Sequence, residues 1–487
     1  MSMKETKIYN LHMGPAKCAL DLGDGSERGE YVNQDYILNK LGRPHRAINL
    51  MYCYYPNDKK WPKRVSEAYK NDGTGAWGYP YDDYFTYKGG LKGNLKGEPF
   101  NQMREIRSHG QDVLLTLTMD PFLSDEHIIA IARDLRTFGR VLLRINHEAT
   151  GDWFAFNKMA SYEEVASFFV RCCDIIHREA ENVKIILCLD GFKKLSEKKM
   201  AKEDIFKEAI KAADIESVDR YLALHWGWPY DVAKKGGNTF ARYSVKDIYE
   251  ITKKSYNRYV EINGGEKRPM VLSELNADAD VTGAYEQAQM MEDFAKYVKE
   301  DPEKWLSGFT FYQMRDRGRL GLEIEDPNNS EVGIEQPVMK TYKKLLFDKY
   351  FYPKLKQGKE TKLPIRLRWG GSEDAEGIAI PIRFKQDPVF CEAYFEGSLE
   401  KANLMMELNG RWFYKAPGVK CIDFMSAFYE KRLKGEKDLI LKIFAPPANG
   451  ENDPKQGDDW QTNYYFTLKA LPELRIEYEP VVKDQDR

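Results

Sequence analysis

Metal-ligating and thiol residues are scarce in this chain: 7 His and 7 Cys among 487 residues. The cysteines (18, 53, 172, 173, 188, 391, 421) are scattered, with no CxxC and no zinc-ligand spacing, so they read as small buried hydrophobes. No His-x-His pair occurs, which removes the usual opening of a barrel metallohydrolase, and no metal or cofactor is expected. No P-loop and no nucleophile elbow is present. No stretch is apolar for long enough to span a membrane. A formal net charge of -2 leaves no basic footprint for nucleic acid and no polybasic membrane patch. The first residues lack the apolar core of an export signal, so the expectation is an intracellular protein or an exported one with its signal removed.

Aromatic residues, by contrast, are plentiful, at 13% with 30 Tyr and 9 Trp. Most must be core, but Tyr and Trp in excess also suit stacking against sugar rings. The length predicts two domains, one of them large. Along the first 350 residues, short apolar segments alternate with helical periodicity. The expected strands are 17–22, 47–54, 112–118, 140–146, 183–189, 220–225, 270–273 and 308–311. Between them lie helices such as 125–138, 162–180, 245–263 and 284–299. Eight parallel strands separated by helices predict an α/β fold of the (β/α)₈ TIM-barrel type over residues 1–352. A doubly wound sheet would want a Gly-rich phosphate turn after its first strand, and Asp21-Leu-Gly-Asp-Gly does not fit that spacing.

In such a barrel the C-terminal ends of the strands share one rim, where chemistry is found. Asp21, Asp120, Asn146, His147, Glu148, Asp190, His225, Trp226, Glu274 and Tyr312 fall there, each after an apolar run. Glu148 ends the fourth expected strand and Glu274 the seventh, so their carboxylates face one another across the mouth. Two such groups can cleave a glycosidic bond, one protonating the leaving oxygen and the other attacking or activating water. His147 before Glu148 and Trp153 after it favour an acid form by partial desolvation. Glu274 would then be the nucleophile, kept ionised by donors such as Arg144, His225 or Tyr312. Trp226 and Trp228 flank a Gly and precede a Pro, and divide evenly between sugar stacking and barrel packing. For Trp77 and Tyr79, in a long loop, packing is the plainer reading, and Arg315-Asp-Arg-Gly-Arg reads as a solvated loop.

The segment Arg144-Ile-Asn-His-Glu-Ala-Thr-Gly-Asp-Trp-Phe resembles the acid/base segment of the clan A glycoside hydrolases, and most of all family 26, the β-mannanase group. Leu272-Ser-Glu-Leu is similar to the clan's nucleophile strand. The resemblance covers roughly residues 15–350. It implies a retaining, endo-acting hydrolase of a β-linked polysaccharide or oligosaccharide, with Glu148 as acid/base and Glu274 as nucleophile. Arg144, Asn146, His147, Trp153, His225, Trp226, Trp228, Tyr312 and Asp120 are the expected substrate contacts. Three places depart from the family pattern. Ala149-Thr150 stands where the family has Met-Asn, Tyr312-Gln313 where the clan commonly has a strand-eight Trp, and His225-Trp-Gly-Trp leaves open which ring meets the nucleophile.

Residues 353–362 are polar and charged and read as a linker. Beyond them the period switches to two, as in Ile378-Ala-Ile-Pro-Ile-Arg-Phe, which predicts an antiparallel β-sandwich over 363–487. Its role is open between carbohydrate binding, with Trp412 and Trp460 as handles, and a structural module packed on the barrel. The competing function is a non-catalytic carbohydrate-binding barrel, which would normally lose one of the two Glu.

Overall fold

The computed structural model describes residues 7–24, 31–58, 85–151, 154–189, 202–223, 244–316, 319–452 and 463–480. A first strand, β1 (Ile8–Gly14), precedes β2 (Ala19–Gly23) and β3 (Ala47–Tyr54), and the two-residue β4 (Phe85–Thr86) follows. Then come β5 (Asp112–Met119), β6 (Val141–Ile145), β7 (Val183–Leu189), β8 (Ile215–Tyr221), β9 (Met270–Asn276) and β10 (Leu306–Phe311). The parallel order β2-β10-β9-β8-β7-β6-β5-β3 closes on itself through β2 and β3, while β4 lies outside against β3. This is a closed eight-stranded (β/α)₈ barrel.

Strands of such a barrel are covered on both faces, which is why β3 and β5 are buried along their whole length and show no alternation. Ala47, Leu114, Leu142, Ile186, Ile215 and Val271, one from each of six strands, form an apolar cluster near the strand starts. The helices cover the outside through apolar stripes. Tyr162–Glu179 buries Val165, Phe168, Phe169, Cys172, Ile175 and Ile176, and starts with a capping box of Ser161 and Glu164.

One expected strand moves, and one expected rim residue does not reach the rim. The sixth is Ile215–Tyr221, not 220–225. Its inward positions are polar because Ser217 bonds Ser273 and Asp219 meets Arg144, so an apolar run pointed too far along the chain. Asp21, expected at the catalytic rim, lies in the middle of β2 with its carboxylate turned to the start of β3. Its Oδ1 accepts from Arg46 Nε at 2.8 Å and from the Ala47 backbone at 3.0 Å, beside the start of β3.

The C-terminal part is antiparallel, as expected, in sheets of eight and three strands. The expected linker is a correction: Lys354–Thr361 is a strand paired along β1, and β1 also pairs with Asp374–Phe384. The N-terminal strand therefore belongs to the C-terminal sheet. A charged, mostly exposed strand carries little apolar signal, because backbone pairing holds it in place.

This domain docks where the barrel strands begin, away from the rim. Ser372 Oγ donates to Arg46 O at 2.6 Å, Arg140 meets Asp374 at 2.7 Å, and Asn403 Nδ2 donates to Ser108 O at 2.7 Å. Trp369, 2% exposed, packs over Gly110, whose φ of 73° and bare Cα leave room for the indole. Trp412 is buried too, with Nε1 donating to Tyr352 Oη at 2.8 Å, so it offers no face for a sugar. Trp460 lies outside the described residues. A chain cut before residue 353 strips partners from β1 and from buried Arg107, whose Nη2 donates to Asn452 at 3.0 Å. Such a fragment is expected to lose its cooperative thermal melt. A soluble 1–352 fragment melting at the full-length Tm would show the docking to be dispensable.

Candidate active site

Along β6 the side chains alternate, and Leu142 and Arg144 share the inner face. Leu142 belongs to the apolar floor, whereas Arg144, fully buried, is the first polar group above it. Arg144 Nη1 donates to Glu274 Oε1 at 2.9 Å, and Nη2 donates to Asp219 Oδ2 and to Cys188 Sγ, the latter at 3.3 Å. Asn146 follows with φ 55°, and its Oδ1 accepts from Met119 N at 2.7 Å, tying the ends of β5 and β6 together. Glu148 also has positive φ, 46°, and stands at the rim beyond β6.

His147, between the two turned residues, points back into the barrel. Its Nε2 lies 2.5 Å from Glu274 Oε1 and 3.4 Å from Asp219 Oδ2, and its ring stacks on Phe154 with centroids 4.5 Å apart. The other oxygen of Glu274, Oε2, accepts from Tyr221 Oη at 2.6 Å. Burial alone would push the Glu274 carboxyl up, but His147, Arg144 and the Tyr221 hydroxyl outweigh it and hold that carboxyl well below the usual carboxylate range. For His147, burial and Arg144 oppose protonation, yet Glu274 and Asp219 raise it to about 10. Glu274 is therefore ionised and His147 cationic at neutral pH.

His147, Asp219 and Glu274 offer ligand atoms within 4.8 Å of one another, a spacing that a metal ion could use. The donor set argues otherwise. Arg144 already donates to both carboxylates, which places a guanidinium against the oxygens a metal would take.

The expected residues are thus only partly gathered. Arg144, His147 and Glu274 are in direct contact, and Glu148 sits on the same rim. Asp120 closes β5 and accepts from Phe122 N at 2.9 Å, shaping the rim turn. Tyr312 is buried edge-on to Tyr221, with centroids 6.1 Å apart; Tyr221, not Tyr312, holds the nucleophile candidate. Trp77, Tyr79, Trp153, Asp190, His225, Trp226 and Trp228 lie outside the described residues. Asp219 and Tyr221 are not among the expected site residues, because the expected sixth strand begins at 220 and puts its rim at 225. Ser217, Asp219 and Tyr221 alternate on one face, and that period-two polar pattern was the available signal.

No protein-family model and no curated protein matches this sequence. Among solved structures, several glycosidases are similar in fold. AbfB, a family 51 α-L-arabinofuranosidase from Bifidobacterium longum, is 10% identical with a TM-score of 0.41, over 89% of this chain and 97% of its own. The catalytic domain of the family 26 endo-β-1,4-mannanase of Bacillus sp. JAMB-750 is 13% identical with a TM-score of 0.40, over 69% and 87%. The β-glycosidase BGL167 is 9% identical with a TM-score of 0.43, over 68% and 96%. At these values the barrel rests on its own strand pairing, and the chemistry on its own side chains.

Proposed function

We propose that this protein is a retaining glycoside hydrolase with Glu274 as nucleophile and Glu148 as acid/base. The observation that carries the reading is the triple hold on Glu274 by Arg144, His147 and Tyr221 at the C-terminal end of the barrel. A carboxylate kept so far below its usual range is a poor proton acceptor, which disfavours a general base of the inverting kind. It remains able to attack an anomeric carbon. A non-catalytic binding barrel has no need of two buried cations and a tyrosine on one carboxylate.

In the first step a Glu274 oxygen bonds to the anomeric carbon while the glycosidic C–O bond breaks, and the leaving oxygen takes the proton of Glu148. In the second, Glu148 removes a proton from water as its oxygen displaces Glu274, which restores both groups. The family-26-like segment 144–154 supports a β-linked glycan of the mannan type and endo action.

The test is hydrolysis of β-mannan, xylan, mixed-linked glucan and galactan by wild type and Glu148→Ala. Reducing-sugar release from one of them, lost by roughly 10²- to 10⁴-fold in the variant, while azide restores the variant's turnover of an activated aryl glycoside as a glycosyl azide, supports the reading. Activity unchanged in Glu148→Ala would overturn the acid/base assignment. Tight glycan binding without hydrolysis by wild type would favour the binding barrel.

A further inference from the structure

Glu148 takes a backbone conformation that an L-residue adopts only when its surroundings insist on it, and Asn146, two residues earlier, does the same. Upstream the reason is plain, since Asn146 is bonded through its backbone and side chain to β5. Downstream, the backbone of Ala149, Thr150 and Gly151 is buried and follows no regular element. Ala149 N donates to Cys188 O at 2.9 Å, which fixes one point against β7. The three carbonyls that follow Glu148 are then each met by a side-chain donor from a different place in the chain. Asn157 Nδ2 donates to Ala149 O at 3.0 Å, Lys202 Nζ to Thr150 O at 3.4 Å, and Tyr162 Oη to Gly151 O at 3.0 Å.

Two of these donors are themselves joined. Lys202 Nζ donates to Tyr162 Oη at 2.9 Å and lies 4.6 Å from the centroid of the Tyr162 ring. Tyr162 accepts from the ammonium on one side and donates to Gly151 on the other, and a charged donor strengthens the bond that its acceptor then makes. Tyr162 opens the long helix behind β6, and Lys202 comes from the connection after β7. The loop carrying Glu148 is thereby clamped to two successive barrel units.

We propose that Lys202 and Tyr162 are positioning residues for Glu148: through the Thr150 and Gly151 carbonyls they hold the rim loop in the turned conformation that presents the Glu148 carboxyl. This rests on Glu148 being the proton donor of the proposed reaction. Their effect passes through the backbone. Removing the clamp lets the loop relax, and a small misplacement of a catalytic group costs rate before it costs fold.

The experiment compares two substrates of one sugar, a natural β-linked oligosaccharide with a poor leaving group and a dinitrophenyl glycoside whose leaving group needs no proton. Wild type, Glu148→Gln, Lys202→Met, Lys202→Arg and Tyr162→Phe are measured, with the Tm of each. Lys202→Met and Tyr162→Phe are expected to lose roughly 10- to 100-fold in kcat on the oligosaccharide, with little change in KM, and far less in the glycosylation step of the aryl glycoside. Lys202→Arg should recover most of the loss, since it restores a cationic donor to the phenol. Equal losses on both substrates at an unchanged Tm, or no loss on either, would overturn the clamp while a leaving-group effect in Glu148→Gln kept the acid assignment. A Glu148→Gln variant without leaving-group dependence would remove the acid assignment and the clamp together.

Discussion

Glu274→Ala is expected to abolish hydrolysis of whichever glycan wild type cleaves, with a loss on the order of 10⁵- to 10⁶-fold, the scale on which enzymes lose a covalent nucleophile. The loss should be larger than that of Glu148→Ala on every substrate. It should also persist on an activated aryl glycoside, because a good leaving group replaces a missing acid but not a missing nucleophile. External azide acting on Glu274→Ala should yield the glycosyl azide of inverted configuration, whereas Glu148→Ala should yield the retained one. Product configuration by proton NMR is the readout. Residual activity of Glu274→Ala within 100-fold of wild type would remove it as nucleophile.

Arg144→Met is expected to lower stability by about 3–5 kcal/mol, because it leaves Asp219 and Glu274 buried without the guanidinium that pairs with both. Methionine fills much the same length, so the loss reports charge more than volume. The pH dependence carries a second signature. The folded Glu274 carboxyl is depressed, so its contribution is present above its unfolded value near 4.5 and is lost as pH falls below it. The folded His147 is raised to about 10, so its contribution is complete below its unfolded value near 6.5 and is lost as pH rises towards 10. Wild-type stability from this network should therefore peak between roughly pH 4.5 and 6.5. In Arg144→Met, Glu274 loses one of its cations and is less depressed, so less stability should be lost between pH 5.5 and pH 3 than in wild type. Denaturant unfolding at pH 3, 5.5 and 9 measures both effects; a variant within 1 kcal/mol of wild type at pH 5.5 would show the guanidinium to be replaceable.

Most of the barrel could be read from residue order. Fully apolar segments such as Ala47–Tyr54 and amphipathic stretches such as Tyr162–Glu179 have their local pattern imposed by the layer they occupy. Strand Ile215–Tyr221, which differs from the expected 220–225, alternates with Ser217 and Asp219 because it lines the polar interior just beneath the rim. Hydrophobicity marks where water is excluded, and it fails where the excluded space is filled by paired charges. Residues 353–362 failed for a related reason, since the strand Lys354–Thr361 is held by backbone bonds that any side chains allow.

The two glutamates were legible because each ends an apolar run with a carboxylate, and the barrel register carries such positions to one rim. The partners of Glu274 were less so. Arg144 and His147 lie 130 and 127 residues away along the chain and Tyr221 lies 53 away, yet all meet one carboxylate. The sequence by itself determined the alternation that closes the barrel, the inward face of β6 and the two carboxylates. The tertiary structure alone decided that Asp219 and Tyr221 join the network around Glu274, that His147 turns inward, and that β1 and a buried Trp412 lock the second domain beneath the barrel. Periodicity records which face of one element is buried. A depressed carboxyl or a docked domain depends on groups brought together from distant segments, and no local pattern encodes that meeting.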